Sequence, residues 1–250
     1  MIQGNANTAS VVPAGGALIG ANLPLGGGWN AGIDGVGGGA DGDGGEYFDA
    51  WGGGSVHLFW RDPDYAVGIF GSGMDVHEFS GTDDGPLVAG GVEAAVFSPD
   101  STFVVQAGYL SRISGVLGMG SDNDLISHGV AFRLENRWFL DDNTRLDAGI
   151  VGAYGNTGGD QEETGIGGVE IEIEHKLADS PLSFFVGGVA MAGTEADDSD
   201  FSEWDASIYY TAGVGIRFLF GHETLKSEDR NGPTFRSLPI KEFNAIASDQ

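Results

Sequence analysis

The chain has 250 residues, 45 glycines and no cysteine, and 37 acidic against 11 basic residues give it a formal net charge of −26. That balance excludes a nucleic-acid partner, because neutralising phosphates needs a basic stripe and none is present. With 41% hydrophobic residues the chain can order itself as a single domain, yet no apolar run reaches the eighteen residues of a membrane-spanning helix.

Taken in chain order, residues 1–45 read as a glycine-rich N-terminal segment. Val11–Leu25, interrupted by Pro13, is its one candidate strand, and a loop follows through Gly45. Residues 46–220 then carry nine alternating stretches, at 50–61, 65–77, 87–97, 102–113, 125–140, 144–154, 166–177, 182–193 and 206–220. Tight turn signals separate some of them: Asp62-Pro63-Asp64, Ser98-Pro99-Asp100-Ser101, Asp141-Asp142-Asn143 and Ala178-Asp179-Ser180-Pro181. Between these turns lie longer connections rich in Gly, Asp, Ser and Thr, so short and long links alternate. Counting the N-terminal stretch gives ten strands, with eight as the alternative.

Within the strands, charge keeps to one parity. Arg133, Glu135 and Arg137 alternate with Phe132, Leu134, Asn136 and Trp138, and Glu170, Glu172, Glu174 and Lys176 alternate with Val169, Ile171 and Ile173. Arg61, Arg112, Arg145 and Arg217 each share a face with polar or small residues and oppose an apolar face. A soluble sheet would bury the apolar face and wet the charged one. A membrane barrel inverts this arrangement, with lipid outside and the charges in the lumen. Strands of 10–13 residues suit the roughly 9–11 needed to cross a bilayer at a tilt, whereas soluble strands average about 5–6. Alternating short and long links match the two ends of such a barrel. Asn136 and His175 depart from the parity near short turns, where the interface relaxes the cost, and Trp60, Tyr65, Trp138 and Tyr154 lie near strand ends as interfacial aromatics do. The expected fold is therefore an all-β, up-and-down antiparallel transmembrane β-barrel in the bacterial outer membrane. Met1–Asn7 lacks the features of a signal peptide, so such a protein would be present here in its mature form. Residues 221–250, with Pro233 and Pro239, read as a polar periplasmic tail.

The inward parity brings Glu93, Arg133, Glu135, Arg137, Arg145, Asp147, Glu170, Glu172, Glu174, Lys176 and Arg217 to the lumen. A barrel of eight to ten strands is narrow enough for these side chains to meet and fill it as an ionic network. The alternative is a narrow cation-preferring, porin-like channel lined by the glutamates. The acidic connections hold weak divalent-cation candidates, Glu195, Asp197, Asp198, Asp200 and Glu203, and such cations would be shared with lipopolysaccharide phosphates. No cofactor is implied. For catalysis there is no thiol and no G-x-S-x-G elbow.

Tyr209–Phe220 alternates throughout and ends in aromatics. It resembles the closing-strand signal that the bacterial barrel-assembly machinery recognises, with Tyr210, Val214, Ile216, Phe218 and Phe220 in the apolar places, which implies that machinery as a partner during biogenesis. The segments His57-Leu58-Phe59-Trp60-Arg61-Asp62-Pro63 and Phe218-Leu219-Phe220-Gly221-His222-Glu223-Thr224-Leu225-Lys226 resemble those of small, largely uncharacterised outer-membrane barrel proteins of alphaproteobacteria. That resemblance covers two short segments and implies location and architecture, with no activity. Asp75-Val76-His77 with Asp83-Asp84 resembles the Asp/His site of omptin-type outer-membrane proteases, which gives a hydrolase as a second alternative. A solvated strand end is the plainer reading. The expected role is non-enzymatic, structural or surface-interacting.

Overall fold

The computed structural model describes residues 2–5, 8–11, 14–41, 48–78, 86–113, 126–157, 163–196, 204–218, 223–239 and Phe243. Its elements are β1 (Ile2–Asn5), β2 (Thr8–Val11), β3 (Ala14–Gly26), β4 (Trp29–Asp41), β5 (Phe48–Arg61), β6 (Tyr65–Glu78), β7 (Leu87–Ser98), β8 (Ser101–Arg112), β9 (Ile126–Asp141), β10 (Thr144–Thr157), β11 (Glu163–Lys176), β12 (Leu182–Ala196), β13 (Trp204–Phe218) and the helix α1 (Leu225–Asn231). One antiparallel sheet holds every strand. β3 to β13 follow in sequence order, and β1 and then β2 are added beyond β13. All nine alternating stretches expected after residue 46 form strands within a few residues of the expected ends.

The strand count differs from ten. The glycine-rich N-terminal region makes two long strands, β3 and β4, in place of one strand and a loop, so eleven long strands and the short β1–β2 hairpin are present. Gly26, Gly27 and Gly28 have φ of 92°, 62° and 86°, a left-handed run open to residues without a Cβ, and they reverse the chain between Gly26 and Trp29. β4 has few side chains to announce it, and its stability comes from backbone pairing to β3 and β5 along its whole length. Close approach also calls for glycine here: a Cβ on Gly54 would lie 2.4 Å from the Asp34 carbonyl oxygen.

The sheet curls back toward itself. Both β2 and β3 run parallel to β13, the first because β1 is antiparallel to β13 and to β2, the second after ten antiparallel steps. Only Val12 and Pro13 separate β2 from β3, so Val11 and Ala14 are at most about 11 Å apart, three Cα steps. The two ends of the strand order, β2 and β3, are therefore joined by a short stretch of chain.

The faces sort as the parity predicts. On β9, Arg133, Glu135 and Arg137 are 8%, 1% and 1% exposed, while Val130, Phe132 and Trp138 are 54%, 43% and 43% exposed. Outward Ile69, Val92, Phe103, Ile150, Ile171 and Ile216 extend the exposed apolar belt around the sheet. Of the expected interfacial aromatics, Tyr65, Trp138 and Tyr154 are exposed and Trp60 is half-buried. A register shift near Ser127 lets Ile126 and Gly129 both face inward.

Of the C-terminal segment expected as a polar tail, residues 225–239 lie against the concave face. α1 begins at Thr224, whose side chain accepts from the Ser227 N–H, and ends at Gly232 before Pro233. Leu225 and Asp229, one helical turn apart, point into the interior. At the short-turn end, the Lys226 N–H donates to the Asp142 carbonyl and the Arg230 side chain donates to the Ser98 and Ser101 carbonyls. From there the segment runs toward the opposite end, where Leu238 and Phe243 join Phe70, Met74, Leu110, Ile126, Ile166 and Met191 in an apolar layer. Composition alone reads this segment as polar. Among the described residues its large apolar side chains, Leu225, Phe235, Leu238 and Phe243, are buried, and Asp229 and Arg236 find charged partners inside.

Candidate functional site

The lumen holds the densest chemistry of the molecule, and its charged wall is built by strand pairing. β9 and β10 oppose Arg137 to Asp147, and β10 and β11 oppose Arg145 to Glu174 and Asp147 to Glu172. Arg133 Nε and Nη2 donate to Glu170 at 2.6 and 2.9 Å, and Arg137 donates to both oxygens of Glu135 at 2.9 and 3.1 Å. Arg145 reaches Asp147 and Glu174, each at 3.0 Å. Arg217 lies over the Phe185 ring and donates to Glu172 and Glu174 at 2.6–2.7 Å. Forked guanidinium–carboxylate contacts of this kind are the geometry that makes arginine directional.

Ten of the eleven residues expected in the network are thus brought together with charged or hydrogen-bonding partners across the interior. Glu93 joins on the far side, where His57 and Gln106 contact it. Lys176 departs from the expectation. It is buried, but its ammonium donates to the Ser180 and Glu223 carbonyls at 2.6 and 2.9 Å instead of pairing with a carboxylate, because its place at the strand end faces the turn and the start of the C-terminal segment.

From β9 to β13 the network has five carboxylates, Glu135, Asp147, Glu170, Glu172 and Glu174, and four arginines, Arg133, Arg137, Arg145 and Arg217. The fifth cation comes from the tail. Arg236 approaches Asp147 at 3.2 Å and Glu172 at 3.4 Å, and Asp229 in turn meets Arg137 at 2.7 Å. Reading the tail as outside the barrel hid both residues. No local period announces them: Phe235, Arg236, Ser237 and Leu238 read apolar, polar, polar, apolar, and Asp229 lies a helix turn or more upstream.

A second cluster was legible only in part. Ser55 Oγ lies 2.5 Å from His57 Nε2, and His57 Nδ1 lies 2.9 Å from Glu93. A hydroxyl, an imidazole and a carboxylate in that order form a nucleophile relay when the imidazole is free to accept the hydroxyl proton. Asp34 changes the chemistry. Its Oδ2 accepts from Ser55 and sits 3.1 Å from the same Nε2, so the hydroxyl proton points to Asp34 and the ring is flanked by carboxylates at both nitrogens. Ser237 of the tail donates to the other Asp34 oxygen, and Phe235 stacks on the ring at 6.3 Å. The cluster, two carboxylates about one imidazole, is a hydrogen-bonded knot beneath the tail. His57 and Ser55 shared the inward parity of Arg61, whereas Asp34 lay in a run read as loop.

Among the described residues no group of three or more His, Cys, Asp or Glu could hold a metal ion. Asp197, Asp198, Asp200 and Glu203 lie outside the described residues, and of Glu195 only the backbone is described, paired with Asp205. Asp83 and Asp84 also lie outside them, as does the His77 side chain, while Asp75 is half-buried. A cavity of about 240 Å³ remains beside Arg236, bounded by Glu170, Glu172, Phe185, Gly187 and Thr211. No family model matches the chain, and no curated protein matches it.

Proposed function

We propose that this chain is a β-barrel of a bacterial outer membrane with a structural or surface-interaction role, its lumen closed by an ionic network and by its own C-terminal segment. One observation carries the reading: an apolar belt on the outer face of the long strands is exposed while most of their charged side chains face the other way and are buried or half-buried, the inverse of a soluble sheet. The long strands, 12 to 16 residues each, support it, since about 3.3 Å per residue at a tilt near 45° covers roughly the 30 Å of a bilayer core. In this reading the short turns face the periplasm, and the acidic connections at the other end share divalent cations with lipopolysaccharide phosphates. The barrel-assembly machinery inserts the chain, reading β13 as its closing signal.

Closure follows from occupancy: α1 and the tail fill the short-turn end and the ionic layer, and the apolar layer around Leu238 and Phe243 seals the other. Phe132→Arg places a charge in the lipid-facing belt at a cost of about 2–4 kcal/mol. The variant is expected to be lost from the outer-membrane fraction and to lack the heat-dependent gel shift of a detergent-solubilised barrel. Wild-type levels of Phe132→Arg in that fraction would refute the membrane reading. Sizeable steady conductance of the unaltered protein in a planar bilayer would refute closure and favour the cation channel.

A further inference from the structure

Residues 230–237 cross the lumen as a stretch of main chain held by side chains of the wall. Arg61 donates to the carbonyls of Arg230 and Gly232, the latter at 2.6 Å. Arg137 donates to the Thr234 carbonyl at 2.7 Å, Gln106 to the Arg236 carbonyl at 2.9 Å, and Arg133 to the Ser237 carbonyl at 3.3 Å. Three of these carbonyls, at 232, 234 and 236, fall on alternate residues, the period of an extended chain, and that of Arg230 lies in the last turn of α1. Side chains sort by the same period. Phe235 packs edge-on against Phe59 at 5.2 Å, Arg236 turns to Asp147 and Glu172, and Ser237 donates to Asp34. Among the described residues only one backbone–backbone hydrogen bond, from Lys226 to Asp142, joins α1 and the tail to the wall.

A wall that reads carbonyls with side-chain donors, beside one aromatic cleft and one acidic cleft, has the chemistry of a peptide groove. Main-chain contacts give such a groove its affinity and side-chain clefts give it selectivity. We propose that the concave face of this sheet is a binding groove for an extended polypeptide with an aromatic residue followed by arginine, and that residues 230–239 are its tethered occupant. A segment of that kind from another chain takes the place of the tail. The tether sets the threshold for exchange, because a covalently attached occupant acts at millimolar effective concentration.

The test uses the full chain in detergent micelles and does not depend on whether the barrel lies in a bilayer. A protease site is inserted between Phe218 and Thr224 and cut after folding, and a fluorescent synthetic peptide of residues 224–239 is added in excess. Expected is exchange to one labelled peptide per barrel. An Arg236→Glu peptide should bind at least 100-fold more weakly, since it sets a carboxylate against Asp147 and Glu172, and a Phe235→Ala peptide at least tenfold more weakly. In the uncut chain, which has no other cysteine, Ser237→Cys should become reactive to a water-soluble maleimide as peptide is titrated. The proposal is overturned if the Arg236→Glu peptide binds as well as the native one. It is equally overturned if no label enters after the cut protein is refolded with excess peptide and the thiol of the Ser237→Cys variant stays protected at saturating peptide.

Discussion

Across the lumen, the β9–β13 wall offers five carboxylates and four arginines, whereas the β5–β8 wall sets beside His57, Arg61, Glu93 and Gln106 an apolar patch of Phe59, Ala66, Ala95, Phe97 and Val104. The tail meets both at once, Arg236 on the ionic side and Phe235 on the apolar side. The difference separates two jobs. Forked ion pairs are directional and expensive to leave unpaired, so the ionic wall fixes where along its length the tail sits. Aromatic burial is tolerant of small shifts but large, with one Phe removing some 150–250 Å² from water at about 25 cal/mol per Å². The apolar wall thus holds the tail, and the ionic wall sets its register.

The sharpest way to break this division is Arg137→Met, which strands Glu135 and Asp229 together. Removing one partner of a buried pair costs roughly 3–5 kcal/mol, so the variant should unfold at much lower denaturant and release the tail to protease. Adding Glu135→Gln and Asp229→Asn should recover much of the loss. Equal stability of the single variant and the wild type would mean that the ionic wall sets nothing.

Phe235→Ala probes the other wall. Emptying a site lined by Phe59 and Phe97 should cost about 3 kcal/mol, and the tail should become accessible while the strand ladder persists. The loss should appear as tail exposure in hydrogen exchange before any strand opens; simultaneous exchange of strands and tail would contradict separate roles.

The smallest expected effect lies at the short-turn mouth. Burial, joined by nearby Glu174, pushes the Glu228 carboxyl above its usual range, against the pull of Arg145, Arg236 and Arg217. The docked helix therefore holds this proton more tightly than the free chain does. Docking is tightest below the ordinary carboxylate range, weakens as pH rises from there through the raised value, and is level above it. Glu228→Gln should remove that slope and tighten docking at neutral pH by at most about 0.5 kcal/mol, read as a pH-independent midpoint for tail release. An unchanged slope would place the titration elsewhere.

Much of this molecule follows from its sequence. Period-two alternation with charge on one parity fixed which face of each strand turns inward, because successive Cβ atoms point to opposite sides and a one-residue slip would reverse them all. That reasoning found nine strands and the wall of the network, from Glu93 to Arg217. Where side chains are sparse it failed: β4, seven of whose thirteen residues are glycine or alanine, is held by its neighbours' backbones and carries little pattern of its own. Only the tertiary structure decided where the tail goes. Its polar composition suits solvent as well as a charged lumen, and the choice rests on long-range complementarity: a chain end that brings Arg236 to Asp147 and Glu172 and Asp229 to Arg137. The same distance in sequence hid Asp34 beside His57 and Ser237, since partners more than twenty residues apart share no local period.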